Sequence, residues 1–535
     1  MPETSAQDPS QQTLASRPLN LGDLIEAMAD VIPNRVAVAT MDRTYTYAEI
    51  DERSTRLANH LVDLGVQPGD HVAVHSENRI EWVDAWYGCF KARAVPININ
   101  FKYLHDELAY LYDNSDAVAA IVSPWYLDAM HEAKTDRVKT VVVLDESYDE
   151  LLADSSSERR IQGRSGDDKY VIYTGGTTGA PKGVVWRQED IMRAALNAAR
   201  YGAPMESMEQ LATEAAANEN PMTLLACGPM MHGGSQWIMG NGHVAGFTVA
   251  LYEDLHFSPQ NVLDLVEKRG VVSLTFLGDA MGRPVAEAAL AEPDRWDLSG
   301  LMALSNGAAP LSLGVREELR RAFPDRFILD SYGASESGAA GSAMDDGSGD
   351  GSARFGVSED VQVFDGDMNV CGVGEQGFLA RKGSIPLGYY KDETKTAATF
   401  REDSEGVRWV IPGDHAQREQ DGTVTVLGRG SVCINTGGEK VHPEEVEGVL
   451  LRHDDVFDAA VVGTPHDRWG QQVVALVQLR DGAEATEESL REFAHGLISN
   501  YKVPKRILFV DAVPRTPVSK VDYPGTKEKA LELLG

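Results

Sequence analysis

The sequence predicts an α/β protein, with a large N-terminal part built on parallel sheets and a smaller α/β part at the C-terminus. Three observations predict it. From residue 36 onward, short β-branched and aromatic runs alternate with helical periods, the pattern of parallel strands joined by helices. Strand runs further on end in loops of small residues, as at Tyr173-Thr174-Gly175-Gly176 and Ser305-Asn306-Gly307. A second set of strand and helix signals begins after residue 430, and 535 residues suffice for two cores.

In chain order, residues 1–18 are rich in Ser, Gln, Pro and Thr, lack an apolar signal core, and are expected to form a disordered tail. Leu21, Leu24, Ile25 and Met28 follow a helical period over 19–30. Strands are expected at 36–39 and 44–47. Thr46 precedes a helix over 48–64, and Pro68-Gly69-Asp70 turns into a strand at 71–75. A helix over 81–93 leads to a strand at 95–98, and further strands fall at 118–122 and 140–144. The polar stretch 154–168 reads as a linker, and 206–220, also polar and acidic, as a surface helix or insertion. Strands at 271–277, 301–304 and 326–330 follow, and the Gly/Ser/Asp-rich 342–351 reads as a flexible loop. Beyond 430, residues 435–440 form a turn, and 442–447 open a helix with proline in the first turn and acids at its positive end. Strands at 459–462 and 473–479 precede a helix over 487–499 that presents Leu490, Phe493, Leu497 and Ile498 on one face.

Composition excludes several function classes. No run of eighteen apolar residues exists, so no membrane span is expected. A formal net charge of −33 argues against nucleic acid, whose phosphates such a surface repels. An acidic protein that handles anionic substrates must gather its cations and backbone donors locally. Cys89, Cys227, Cys371 and Cys433 are scattered without metal spacing, which fits reduced thiols in a cytoplasmic protein.

The chemistry gathers at Thr174-Gly175-Gly176-Thr177-Thr178-Gly179-Ala180-Pro181-Lys182-Gly183, which follows a strand at 169–173. Glycines let backbone N–H groups approach an anion, hydroxyls donate further bonds, and the lysine adds a mobile positive charge. In physical terms this is a phosphate cradle. It is not a Walker loop, because Lys182 is followed by glycine and 184–186 continue as strand.

The stretch resembles the phosphate loop of the adenylate-forming superfamily, which includes acyl-CoA synthetases, carrier-protein adenylation domains and luciferases. Further matches follow in order to Lys520, so the resemblance spans nearly the whole chain. It implies an N-terminal domain over 19–429, which holds ATP and the acyl pocket, and a small mobile α/β domain over 430–535. Thr174, Gly175, Gly176, Thr177, Thr178, Gly179 and Lys182 would hold phosphates. Gly307, Ala308 and Ala309 would pass the adenine and floor the acyl pocket, where His232, Gly233, Gly234 and Trp237 would form the wall. Asp330, Ser331, Tyr332, Gly333 and Ser335 would line the nucleotide site, with Tyr332 stacked on adenine and Ser335 on the α-phosphate. Glu336, with Thr174, would hold Mg²⁺, since a hard cation takes carboxylate and phosphate oxygens together. Asp414 and Arg429 would take the ribose hydroxyls, and Lys440 joins the nucleotide set. Lys520 falls on the lysine of the terminal motif and would be catalytic beside Glu336, Thr174 and His232. Ser431 stands where the superfamily usually has Asp or Lys at its pivot.

The implied reaction joins ATP and a carboxylic acid to acyl-AMP, which coenzyme A then attacks. The chain carries no carrier-protein or condensation domain, which favours acyl-CoA synthetase. Trp186, the His232 run and residues 429–440 look most like actinobacterial synthetases for bulky or medium/long apolar acids, including steroid side-chain carboxylates. A homodimer is compatible with this reading. Two alternatives stay open: a luciferase-like oxygenase that uses the adenylate, and a non-catalytic nucleotide-binding relative.

Overall fold

The computed structural model describes residue 14 and residues 17–174, 180–197, 200, 203–307, 309, 311–345, 354–429, 432–436, 439–466, 470–498, 500–516 and 520–535. The expected cradle residues Gly175, Gly176, Thr177, Thr178 and Gly179 lie outside these, as do Ala308, Ser431 and most of the expected tail. Of that tail, Leu14 packs against the core and Arg17 pairs with Asp30 at 3.1 Å.

The largest sheet has eight strands, in the spatial order Gly338–Asp345, Phe327–Ala334, Ala303–Asn306, Ser273–Phe276, Thr223–Ala226, Thr248–Leu251, Val36–Ala39 and Thr44–Thr46. Every inner pairing is parallel, and only the two outermost are antiparallel. A second sheet, wholly parallel, runs Val95–Asn98, His71–His75, Ala119–Val122, Thr140–Val143. Helices such as Leu21–Val31, Tyr47–Asp63 and Ile80–Lys91 bury most of their residues around these sheets. Tyr47–Asp63 starts where the sequence says, with Thr46 and Glu49 in a reciprocal cap.

A small antiparallel sheet joins Lys169–Thr174, Lys182–Arg187 and Gly388–Tyr389. A seven-stranded antiparallel sheet follows, ending in Asp414–Arg418 and Val424–Arg429. The next strand, Ile434–Thr436, belongs to a different, five-stranded sheet with Val456–His466, Gly470–Leu479 and Arg506–Phe509. The main core of that sheet (Ile434, Val446, Val461, Ala475, Ile507) draws only on residues beyond 430.

Four expectations need correction. Residues 342–345 are strand, because the long hairpin from Phe327 gives their backbone a ladder partner (Ser331↔Ser342, Ile328↔Asp345), and 346–351 lie outside the described residues. The strand expected at 326–330 runs to Ala334 for the same reason. Met208–Ala217 is not merely a surface helix, since Met208, Leu211, Ala212 and Ala215 are buried behind its acidic face. The helix Glu487–His495 stops at its cap Gly496, which leaves Leu497 exposed.

The polar linker is tied down. Arg164 bonds Asp23 (2.8 Å) and Glu26 (2.7 Å), and Arg159 reaches Asp51 (2.6 Å). Lys91, buried, donates to that Asp51, to the Asp51 carbonyl and to Thr55.

Candidate active site

The site is built at the ends of strands, where backbone ladders stop and side chains turn outward. Thr174 closes the strand Lys169–Thr174 and pairs across the hairpin with Lys182. The Lys182 ammonium lies 3.0 Å from Asp392 Oδ2 and 5.9 Å above the Tyr389 ring. The Tyr389 hydroxyl donates to Glu336 Oε1 at 2.9 Å. One phenol thus stands between the expected phosphate lysine and the expected metal carboxylate. Trp186 Nε1 donates to the Ser335 carbonyl (3.0 Å), which fixes the turn that carries Glu336.

The expected nucleotide residues divide into two groups. Tyr332 donates its hydroxyl to Asp414 Oδ2 at 2.5 Å, and Asp414 and Arg429 face each other across neighbouring strands. Gly307 leaves open space where a Cβ would stand, 3.8 Å from the Ser331 carbonyl. Gly333 backs onto Gly338, where any side chain would collide with the carbonyl 2.4 Å away. By contrast, Asp330 is buried and its carboxylate is spent on Asn306 (2.8 Å) and on Arg316. It shapes the loop floor rather than presenting a free acceptor. Lys440 lies on Glu439–Val441, paired with Asn435 in the smaller sheet.

His232 caps the helix Gly233–Val244 and lines a small, open-mouthed cavity of about 100 Å³. The other walls include Glu77, Phe101, Lys102, Cys227, Tyr252, Phe257 and Met281. Nε2 of His232 is shut off from water and bonds no protein group. Burial pushes this imidazole down to about 3, and the charges of Lys520 and Lys102 push the same way. The charge of Lys520, from the far end of the chain, thus reaches His232. Gly233 and Trp237 lie behind this wall in mutual contact distance, 3.7 Å from a Cβ built on the glycine, and Gly234 faces open space. Neither glycine nor Trp237 lines the cavity itself.

Sequence reading missed three organising residues. Asn98 Nδ2 donates to the carbonyls of Tyr173 (2.9 Å) and Met231 (2.7 Å), and its Oδ1 accepts from Tyr173 N (2.8 Å). One amide so joins the phosphate strand to the turn that carries His232. Asn306 does the same for the Gly278, Ala309 and Asp330 backbones and side chains. Tyr389 is the third. Both asparagines close parallel strands of two different sheets, and that position was the signal that could have found them.

Among the described residues no group of three or more His, Cys, Asp or Glu could hold a metal by itself. The four cysteines are free. Among the described residues no helix is long and apolar enough to cross a membrane.

A family model described as AMP-binding enzyme matches residues 25–390, and one described as AMP-binding enzyme C-terminal domain matches 445–520. The chain is 43% identical over 537 residues to a 3-oxocholest-4-en-26-oate--CoA ligase of Rhodococcus rhodochrous, covering 96% of each. It is 44% identical over 531 residues to a medium/long-chain-fatty-acid--CoA/3-oxocholest-4-en-26-oate--CoA ligase of Mycobacterium tuberculosis, again over 96% of each. Among solved structures, an anthranilate CoA ligase in complex with anthranoyl-AMP superposes with a TM-score of 0.83, at 21% identity, over 98% of this chain and 100% of that one. At that identity the likeness speaks for the fold.

Proposed function

The chain belongs to the AMP-binding enzyme family, and we propose that it is an acyl-CoA ligase for bulky or medium/long apolar carboxylic acids. The reading is supported most by Asn98, whose amide joins the strand that leads to Thr174 to the turn that sets His232 on a cavity.

In the first step a carboxylate oxygen attacks the α-phosphorus of ATP, and the bond to pyrophosphate breaks. In the second, the sulfur of coenzyme A attacks the acyl carbon, and AMP leaves. No protein nucleophile is needed. Burial pushes the Cys227 thiol up, so this cavity thiol stays protonated and unreactive. The protein's work is to hold two anions in line and to stabilise charge as it develops. Lys182 and the cradle residues would grip the β- and γ-phosphates, with Ser335 at the α-phosphate. Tyr332 would stack on adenine, and Asp414 with Arg429 would bind the ribose. Glu336 and Thr174 would hold Mg²⁺, which neutralises phosphate charge. Lys520 would bridge the carboxylate and the α-phosphate. The neutral imidazole of His232 would stand between acid and nucleotide without adding a second cation.

Residues 19–429 and 430–535 are read as two domains, with a pivot near Ser431 that turns the smaller one between the two steps. A cytoplasmic, homodimeric enzyme belongs to the same proposal. The test is a panel of free acids assayed for AMP and pyrophosphate release. Release should require acid and Mg²⁺ together, and thioester should require coenzyme A. Formation of ADP without AMP overturns the reading, and oxygen uptake without thioester transfers it to a luciferase-type reaction.

A further inference from the structure

The cavity walls carry mostly apolar side chains, among them Phe101, Tyr252, Phe257, Leu277 and Met281. Their polar neighbours differ in what they have left to offer. Asn78 is fully spent, donating to the carbonyls of Tyr252 (2.8 Å) and Gly228 (3.3 Å) and accepting from Met230 N (2.6 Å). Lys102 and Asp254 are exposed to water. Glu77 is neither spent nor exposed. It is 9% exposed, and its Oε2 is buried without any hydrogen-bond donor. Its other oxygen lies 3.7 Å from Arg79, too far for a hydrogen bond.

A buried carboxylate oxygen left without a donor is costly, and the cost is removed only if something supplies the donor. Asn78, the next residue, ties this turn to the Gly228 and Met230 backbone and so fixes the backbone that carries Glu77 at the wall. We propose that Glu77 is a specificity-determining residue: its carboxylate, short of donors in the protein, accepts a hydrogen bond from a hydroxyl carried on the apolar body of the acid. The preferred substrate class is then a hydroxylated apolar carboxylic acid rather than a plain hydrocarbon one. The inference rests on the cavity being the acyl pocket of the ligase proposed above.

Dodecanoic acid and its monohydroxy derivatives, with the hydroxyl moved carbon by carbon toward the chain end, are the probes. At one or two positions the hydroxyl should raise kcat/KM by about 10- to 100-fold, the worth of a hydrogen bond to a charged group. Glu77→Leu should abolish that preference, read as the ratio of kcat/KM for the hydroxylated acid to that for dodecanoic acid. Glu77→Gln, which keeps an acceptor without the charge, should retain an intermediate preference. A merely structural glutamate would lower all the acids together and leave their ratio unchanged. Calorimetric binding of the same acids to wild type and to Glu77→Leu separates the two layers of the argument. A hydroxyl preference in binding that vanishes in Glu77→Leu supports the inference even if no thioester forms. No preferred position in wild type, or a preference that survives Glu77→Leu, overturns it.

Discussion

In residues 19–429 buried charge comes in opposed pairs. Lys91 meets Asp51, Arg164 meets Asp23 and Glu26, and Arg53 clasps Asp84 at 2.8 Å. In residues 434–535 the fully buried Glu447 is held differently, by the Val461 N–H at 2.7 Å and the Tyr523 hydroxyl at 3.1 Å. Burial, and then the charge of Glu444, pushes Glu447 up to about 8. The large part also buries neutral imidazoles: burial pushes His75 and His243 down to about 4 and His232 down to about 3. The buried histidines and Glu447 should therefore answer pH in opposite senses, and the large part adds carboxyls of the Glu447 kind, since burial pushes Asp84 up to about 6 and Glu253 up to about 7. Below about 6.5 the unfolded histidines bind protons that the folded large part refuses, so its stability falls as pH drops toward 4. Above about 4.5 an unfolded Glu447 gives up a proton that the folded small part keeps, so its stability falls as pH rises toward 8. What the comparison teaches is that burial gives both parts carboxyls that alkali loosens, and gives the large part imidazoles that acid loosens as well.

The sharpest break of this division of labour is Lys520→Ala, since it removes from the small part its contribution to the large part's site. Acyl-adenylate formation should fall about 10²–10³-fold, the usual cost of one preorganised donor. Ready-made acyl-AMP with coenzyme A should still give thioester at near the normal rate. If both half-reactions fall together, Lys520 is not confined to the first step.

Next in size is Asn98→Leu, which leaves the backbone groups of Tyr173 and Met231 without their partner in the interior. A loss of about 2–4 kcal/mol is expected, read by denaturant unfolding of the large part, with Lys520's part unaffected. An unchanged midpoint would mean that water replaces the amide.

Glu447→Gln sharpens the comparison directly. It removes the titration without removing the shape, so the fall in stability between pH 4.5 and 8 should flatten, gaining about 1–3 kcal/mol at pH 8. Thermal melts at two pH values measure it. A parallel shift at both pH values would assign the effect to packing.

The smallest expected change is at Gly234, where an added Cβ meets nothing within 4 Å. Gly234→Leu should therefore fold normally and, if the glycine borders the acid's path, lower kcat/KM for bulky acids several-fold more than for short ones. An equal loss across chain lengths would place the path elsewhere.

How much of this was legible beforehand follows from the range of the interactions concerned. The parallel strands and the capped helix Tyr47–Asp63 were readable because periodicity and capping are local. The pairing of Tyr332 with Asp414 was readable only as two motifs, since the residues lie 82 positions apart. Asn98 and Tyr389 were not readable as site residues. Their roles exist only where distant segments meet; the place of Asn98 at the end of a parallel strand was its one sequence signal, and Tyr389 had none. The strand at 342–345 was lost because Ser342 and Asp345 run on into the Gly/Ser/Asp-rich 346–351 and look like a loop until the partner strand supplies the ladder.

Asp392 serves two customers with its two oxygens. Oδ1 accepts the Lys395 N–H at 2.9 Å and so caps the helix Glu393–Thr399, while Oδ2 holds Lys182. The cap does not depend on the lysine. Lys182 can leave for a phosphate oxygen and return by turning a flexible four-carbon stem, with no helix to unwind. The exchange swaps one oxyanion for another, so the ammonium need not pass through a state without a counter-charge. On the proposed reading, the resting enzyme carries its own decoy for the triphosphate, and nucleotide capture becomes a displacement instead of a first encounter.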